Sequence, residues 1–152
     1  MKVHYLADHP EVVTKLAISL HGEWGHLPGN SIDGRIHQLH LQQQRSALPC
    51  AFVAFEGENL AGSASFVEHD MITHPEWFPW LASVYVWPEF RRRGIGSALT
   101  ERVVEEARAL GHSRIYLFTT DQQRLYLRLG WREVVTEVYN TRQVTVMLRQ
   151  LR

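Results

Sequence analysis

Hydrophobic positions along the chain change their period several times, and each change marks a predicted element. "KVHYLA" reads as a short opening strand, after which "HPEVVTKLAISL" sets Val12, Val13, Leu16, Ala17 and Leu20 at helical spacing. The turn-rich "HGEWGHLPGNS" leads to a weaker helix starting at Ser31, "SIDGRIHQLHLQQQR", with Ile32, Ile36, Leu39 and His40 on one side and a loop at Pro49 beyond it. "CAFVAF" and "LAGSASFVE" read as two strands joined by the tight polar turn "EGEN", a hairpin. "HDMITHPEWFPW", with its prolines and tryptophans, reads as a loop before the strand "LASVYV". Ile95, Leu99, Val103, Ala107 and Leu110 then recur along a helix that Gly111 ends. A strand "RIYLFT", a short helix "QQRLYLRL" closed by Gly130, and the pair "WREVVTEVY" and "QVTVML" complete a mixed α/β sheet.

Composition adds limits rather than detail. The 152 residues suffice for one domain, 1–152, with a sizeable core. Sixteen basic residues balance sixteen acidic ones, so no global positive field argues for nucleic acid, and any anion site must be local. The lone Cys50 sits in an apolar run and reads as a packed core thiol, in keeping with a reducing cytoplasm. Asp8, His9 and Glu11 stand where a signal peptide needs apolar residues, and no apolar run reaches membrane-spanning length; a cytoplasmic protein without membrane attachment is expected. His37 and His40 are three apart on a helix, but no carboxylate or cysteine joins them at zinc spacing, so no metal is expected.

The stretch "VYVWPEFRRRGIGSAL", residues 84–99, carries the candidate chemistry. Gly94, Ile95 and Gly96 fall between a strand, stopped by Pro88, and a helix start, where unpaired N–H groups and the positive dipole end favour an anion. Arg91, Arg92 and Arg93 bring bidentate donors to the same turn. The chemistry implied is pyrophosphate binding. The pattern is R-x-x-G-x-G, with Leu99 where a dinucleotide fingerprint needs its third glycine and no P-loop lysine.

These residues resemble the coenzyme-A-binding motif of the GNAT superfamily of N-acetyltransferases, a strand followed by Q/R-x-x-G-x-G/A at a helix start. The likeness extends through "RIYLFT" to "LYLRLGW", giving a coenzyme-A-binding core of about 81–131. It implies an α/β (α+β) acyl-CoA N-acyltransferase fold, with a mixed, mainly antiparallel twisted central sheet flanked by helices. It further implies acetyl-CoA as co-substrate and transfer of the acetyl group to a primary amine on a small molecule or peptide. By this likeness Val84, Tyr85 and Val86 offer backbone groups to the acetyl and pantetheine arm, the amides from Arg91 through Ser97 wrap the pyrophosphate, and Tyr126 faces the sulfur. Where many members carry Asn about seven residues before that tyrosine, this chain has Thr119 or Thr120.

Amide formation requires a base, because an amine is protonated near neutral pH, and a proton donor for the departing thiolate. Tyr126 is the expected donor, and direct attack in a ternary complex is expected in preference to a route through Cys50. Glu68 and Asp70 come after the strand "LAGSASFV", where the resembled fold assembles its acceptor side. Glu68 is the first choice for the base, since strand alternation fixes its face, and Asp70 is the second. Trp77, Phe78 and Trp80 either line an acceptor pocket or pin a loop to the sheet. The alternative function is a coenzyme-A-binding sensor or regulatory module without catalysis. "QVTVML" pairs either within the chain or across a homodimer.

Overall fold

The structure is a computed structural model that describes residues 1–27 and 29–152. Seven strands form one sheet in the order β1-β2-β3-β4-β5-β7-β6: β1 Lys2–Tyr5, β2 Cys50–Glu56, β3 Asn59–Val67, β4 Trp80–Val86, β5 Arg114–Thr119, β6 Arg132–Tyr139 and β7 Arg142–Gln150. Every neighbouring pair is antiparallel except β4 and β5, which run parallel. The mixed, mainly antiparallel sheet expected from the sequence is therefore present. β7, the strand holding "QVTVML", pairs with β5 and β6 inside the chain, and β6 is left at the sheet's edge with Val138 72% exposed.

Strand alternation divides the core between the two faces. Phe52, Ala54, Phe66, Leu81 and Leu117 pack with α3 (Ile95–Ala109), while Ala51, Val53 and Leu60 pack with α1 (Val13–Trp24) and α2 (Ile32–Leu41). The periodic residues Ile95, Leu99, Val103 and Ala107 of α3 are all buried, as their spacing requires. Ser31 caps α2 by accepting the Gly34 N–H at 3.0 Å. This helix ends at Leu41 rather than Arg45: Gln42 N–H bonds back to Gln38 O at 3.1 Å, the Gln42 carbonyl accepts Ala51 N–H at 3.1 Å, and its side chain accepts Ser65 Oγ–H at 2.7 Å. Tertiary partners thus stop what the polar pattern allowed to run on. Ile32 and His40 accordingly point to solvent, and Leu39 carries the buried face.

The loop between β3 and β4 covers a third cluster, in which Trp80, Met71, Tyr116 and Val146 are buried. Trp80 belongs to β4, one residue earlier than the hydrophobic pattern suggested, and its Nε1 donates to Trp77 O at 2.7 Å. Truncating Trp80 to alanine would cost about 3–5 kcal/mol. Among the described residues no helix is long and apolar enough to cross a membrane.

Candidate functional site

The parallel strands β4 and β5 meet only at Trp80 and Tyr116, where Tyr116 N–H also donates to Pro79 O at 3.0 Å, and then diverge. A bulge in β4 helps them part: Ser65 opposes Ala82 and Ser63 opposes Tyr85, so Ser83 and Val84 share the place across from Ala64. Ser83 has φ 53°, a strained conformation for a residue with a Cβ, costing about 1–3 kcal/mol. Between the strands lies a cleft of about 1040 Å³, walled by residues 82–86 on one side and 117–119 on the other.

The α3 N-terminus closes one end of this cleft. Gly94, at φ +78°, makes the turn that a side chain would strain. A Cβ on Gly96 would meet only Val86 Cγ2, at 3.8 Å, so the space over that residue is open to a ligand. The first bond of the helix ladder runs from Ala98 N–H to Gly94 O at 3.0 Å, and the N–H groups of Ile95, Gly96 and Ser97 precede it at the positive end of the dipole. Arg91 Nε donates to Val86 O at 2.9 Å, bracing the strand end, with its guanidinium 5.9 Å from the Tyr85 ring centre. Arg91 and Arg92 line the cleft; Arg93 instead lies over Phe90, at 5.5 Å. Such a donor set could cradle an anion such as a pyrophosphate.

This cradle lies within residues 17–131, which match the family model described as the Acetyltransferase (GNAT) family. The chain belongs to this family. No curated protein gives a match. Among solved structures, yncA from Salmonella typhimurium with its cofactor acetyl-CoA is 21% identical, with a TM-score of 0.72 over 100% of this chain and 94% of that one. An aminoglycoside 6'-N-acetyltransferase complexed with coenzyme A gives 0.77 at 15% identity over 99% and 97%, and a point mutant of a spermidine N-acetyltransferase from Vibrio cholerae gives 0.74 at 16% over 99% and 95%. These likenesses establish the GNAT fold. As a GNAT acetyltransferase the protein takes its acetyl group from acetyl-CoA, and the cradle's free backbone donors, arginines and open space over Gly96 fit that co-substrate.

Tyr126 from α4 (Gln123–Arg128) faces the same cleft with only 6% of its surface exposed. Burial pushes its phenol up to about 12, Asp121 adding to the shift and a hydrogen bond with Thr100 opposing it. Thr100 Oγ1 donates to Gly96 O at 2.8 Å, so its oxygen is free to accept from the phenol. Trp131 packs edge-on to the tyrosine ring at 6.0 Å. Thr119 does not imitate a free asparagine, because its Oγ1 accepts Gln122 N–H at 3.0 Å at the entry to α4. Cys50 is fully buried, and burial followed by the charge of Glu106 pushes its thiol up to about 12, leaving no thiolate near neutral pH.

Among the expected site residues, Val84, Tyr85, Val86, Arg91, Arg92, Gly94, Ile95, Gly96, Ser97 and Tyr126 thus come together on one cleft. Glu68 does not join them: it is exposed, on a side groove of about 440 Å³ that it shares with Gln42, Val67 and His69. Asp70, two residues on, lines both the groove and the main cleft. It is half-buried, and burial pushes its carboxyl up to about 7, with Arg35 partly offsetting the shift. Trp77 stacks between His74 at 4.1 Å and Tyr116 at 5.4 Å, and Trp80 is wholly buried, so these tryptophans pin the loop that carries Asp70. Sequence reasoning missed Glu23, Trp24 and Arg35, which α1 and α2 bring to the cleft from over forty residues upstream of β4; no local motif marks them.

Proposed function

We propose that the protein transfers an acetyl group from acetyl-CoA to a primary amine on a small molecule or peptide, by direct attack in a ternary complex. The observation that carries this reading is the placing of a buried phenol, Tyr126, and a half-buried carboxyl, Asp70, on the cleft that ends in the anion cradle. Bound there, acetyl-CoA supplies a thioester carbonyl as the electrophile. Asp70 takes a proton from the incoming ammonium, so that the nitrogen lone pair is free to form the new C–N bond. A carboxyl that titrates near neutral pH suits this work, since it is ionised at working pH yet basic enough to hold the proton. Val84 N–H, at the bulge, donates to the carbonyl oxygen as it gains negative charge. Tyr126 gives its proton to the sulfur as the C–S bond breaks and is restored by the second proton that the nitrogen sheds as it becomes an amide; a phenol held well above neutrality keeps its proton until the thiolate needs it.

The raised thiol of Cys50 supports direct transfer over an acyl-cysteine route. A free buried thiol and balanced charge support a cytoplasmic setting, and the exposed Val134, Val135 and Val138 of edge strand β6 support pairing with a second copy. The test is an amine panel with acetyl-CoA, following released thiol. Intersecting double-reciprocal lines and full activity in Cys50→Ala are expected. Parallel lines with loss of activity in Cys50→Ala would replace direct transfer by an acyl-enzyme route, and no thiol release with any acceptor would remove the reading.

A further inference from the structure

The acceptor side of the cleft holds two opposite charges that the protein has not paired with each other. Arg35 reaches in from α2, and one of its nitrogens, Nη1, comes to 3.5 Å from Ser83 Oγ, a long contact that uses one of the five donors in its guanidinium fork. Ser83 is the bulge residue next to Val84, so this cation stands one residue from the backbone expected at the reacting carbonyl. Arg35 and Asp70 both line the cleft and feel each other's charge, yet no ion pair joins them among the described residues. Burial weakens the charged form of each. A desolvated cation and a desolvated anion, close but unjoined, are costly until a ligand pairs with them.

Ligands lacking either charge leave one of these groups uncompensated. A simple alkylammonium places its own positive charge near Arg35, while a purely anionic ligand meets Asp70. A zwitterion with ammonium and carboxylate on one carbon answers both over a short span, and the guanidinium fork matches a carboxylate bidentately.

We propose that the acceptor is an α-amino acid, its carboxylate held by Arg35 and its ammonium set beside Asp70. This rests on the acetyltransferase reading above and deepens it. In the step, the ammonium gives one proton to Asp70, the freed nitrogen forms a bond to the acetyl carbon, the C–S bond breaks as the sulfur takes the Tyr126 proton, and the second nitrogen proton passes to the Tyr126 phenolate, leaving a neutral amide and free thiol. Arg35 neither gains nor loses a proton; it is the specificity residue that admits the carboxylate and rejects amines without one.

The test follows thiol release from acetyl-CoA with each of the twenty protein amino acids in turn, then compares the best of them with its own amide and its decarboxylated amine. The free acid is expected to exceed both by about tenfold to a hundredfold in kcat/KM, the loss of one charge-assisted contact. Arg35→Gln should erase that preference, mainly through KM, with coenzyme-A affinity unchanged by calorimetry, and Arg35→Lys should restore part of it. Turnover of the amide or decarboxylated amine equal to that of the acid overturns the inference and leaves the acetyltransferase reading standing, as does an undiminished preference in a folded Arg35→Gln. Should Arg35→Gln fail to fold, the three-substrate comparison on the wild type decides alone. No thiol release with any amine, acidic or not, overturns both.

Discussion

The two ends of the cleft are made of different materials. The end proposed for the coenzyme is built from one unbroken stretch, residues 84–97, and presents chiefly backbone: a strand edge, a left-handed glycine at 94 and the first N–H groups of α3. The end proposed for the acceptor is lined by side chains of α1, α2, the loop after β3 and the β6–β7 hairpin, brought together from widely separated parts of the chain. Backbone recognition constrains a few local residue types tightly, because only glycine permits the turn and the close approach. Side-chain recognition constrains geometry but not any local pattern. One scaffold can therefore keep a fixed coenzyme end while its acceptor end changes.

Damage at the coenzyme end should be the most severe. Gly96→Asp sets a side chain and a negative charge where the cradle expects phosphate oxygens, yet a Cβ there meets only Val86 Cγ2 at 3.8 Å, so the fold should survive. Coenzyme-A affinity by calorimetry should fall about a thousandfold, roughly 4 kcal/mol. Unchanged affinity in the folded variant would place the pyrophosphate elsewhere.

Next come the groups proposed to handle protons. Tyr126→Phe removes one hydroxyl, and kcat should drop about tenfold to a thousandfold with acetyl-CoA binding nearly intact. Wild-type turnover would make this tyrosine a packing residue. Asp70→Asn should lower kcat/KM about a hundredfold at pH 8 and abolish the acidic limb, whose midpoint in the wild type should lie near 7. The sign on stability runs the other way. A carboxyl raised to about 7 favours the fold when protonated, and that benefit is lost as pH climbs from the usual carboxylate range through 7. Asp70→Asn should thus gain in Tm relative to wild type over that interval. Glu68→Gln serves as the comparison: an equal loss of activity and of the acidic limb there, with Asp70→Asn unaffected, would return the base to Glu68.

The same contrast explains what could be read in advance. β5 was legible to the residue, because "RIYLFT" has a strand's composition between helix-ending and turn residues, and α3 was legible because its buried period is unbroken. Arg91, Arg92, Gly94 and Gly96, which line the cleft, stood out because glycine and arginine at that spacing have few other uses. A run of three arginines does not reveal which side chain turns aside, here that of Arg93 toward Phe90. Which of Glu68 and Asp70 lines the main cleft was not legible either. Strand alternation was the guide, but β3 ends at Val67, so alternation governs neither carboxylate. Where the chain enters the loop, packing decides, and His74, Trp77 and Tyr139 supply it from positions no period connects.

The smallest expected effect belongs to that packing. His74 Nε2 meets Glu137 Oε1 on β6 at 2.5 Å and Nδ1 meets Glu76 Oε1 at 3.2 Å, while Ile72 N–H donates to Tyr139 Oη at 3.2 Å, so the Asp70 loop is fastened to the sheet's far edge. Burial lowers the His74 pKa, but the hydrogen bonds and charges of Glu137 and Glu76 together outweigh it and leave it raised. A raised histidine stabilises fully below its unfolded value of about 6.5, and the contribution fades as pH rises through the folded value. His74→Gln should therefore lower Tm by about 2–4 °C more at pH 6 than at pH 9. Asp70 also titrates in this range, but it is present in both proteins, so the difference between them isolates the histidine. With the loop loosened, KM for the acceptor should rise about two- to fivefold, by analogy with other positioning contacts, and coenzyme-A affinity should not move. An equal loss of Tm at both pH values would reduce His74 to a stacking partner of Trp77, and a matching loss of coenzyme affinity would show that the two ends of the cleft are not as separate as their construction implies.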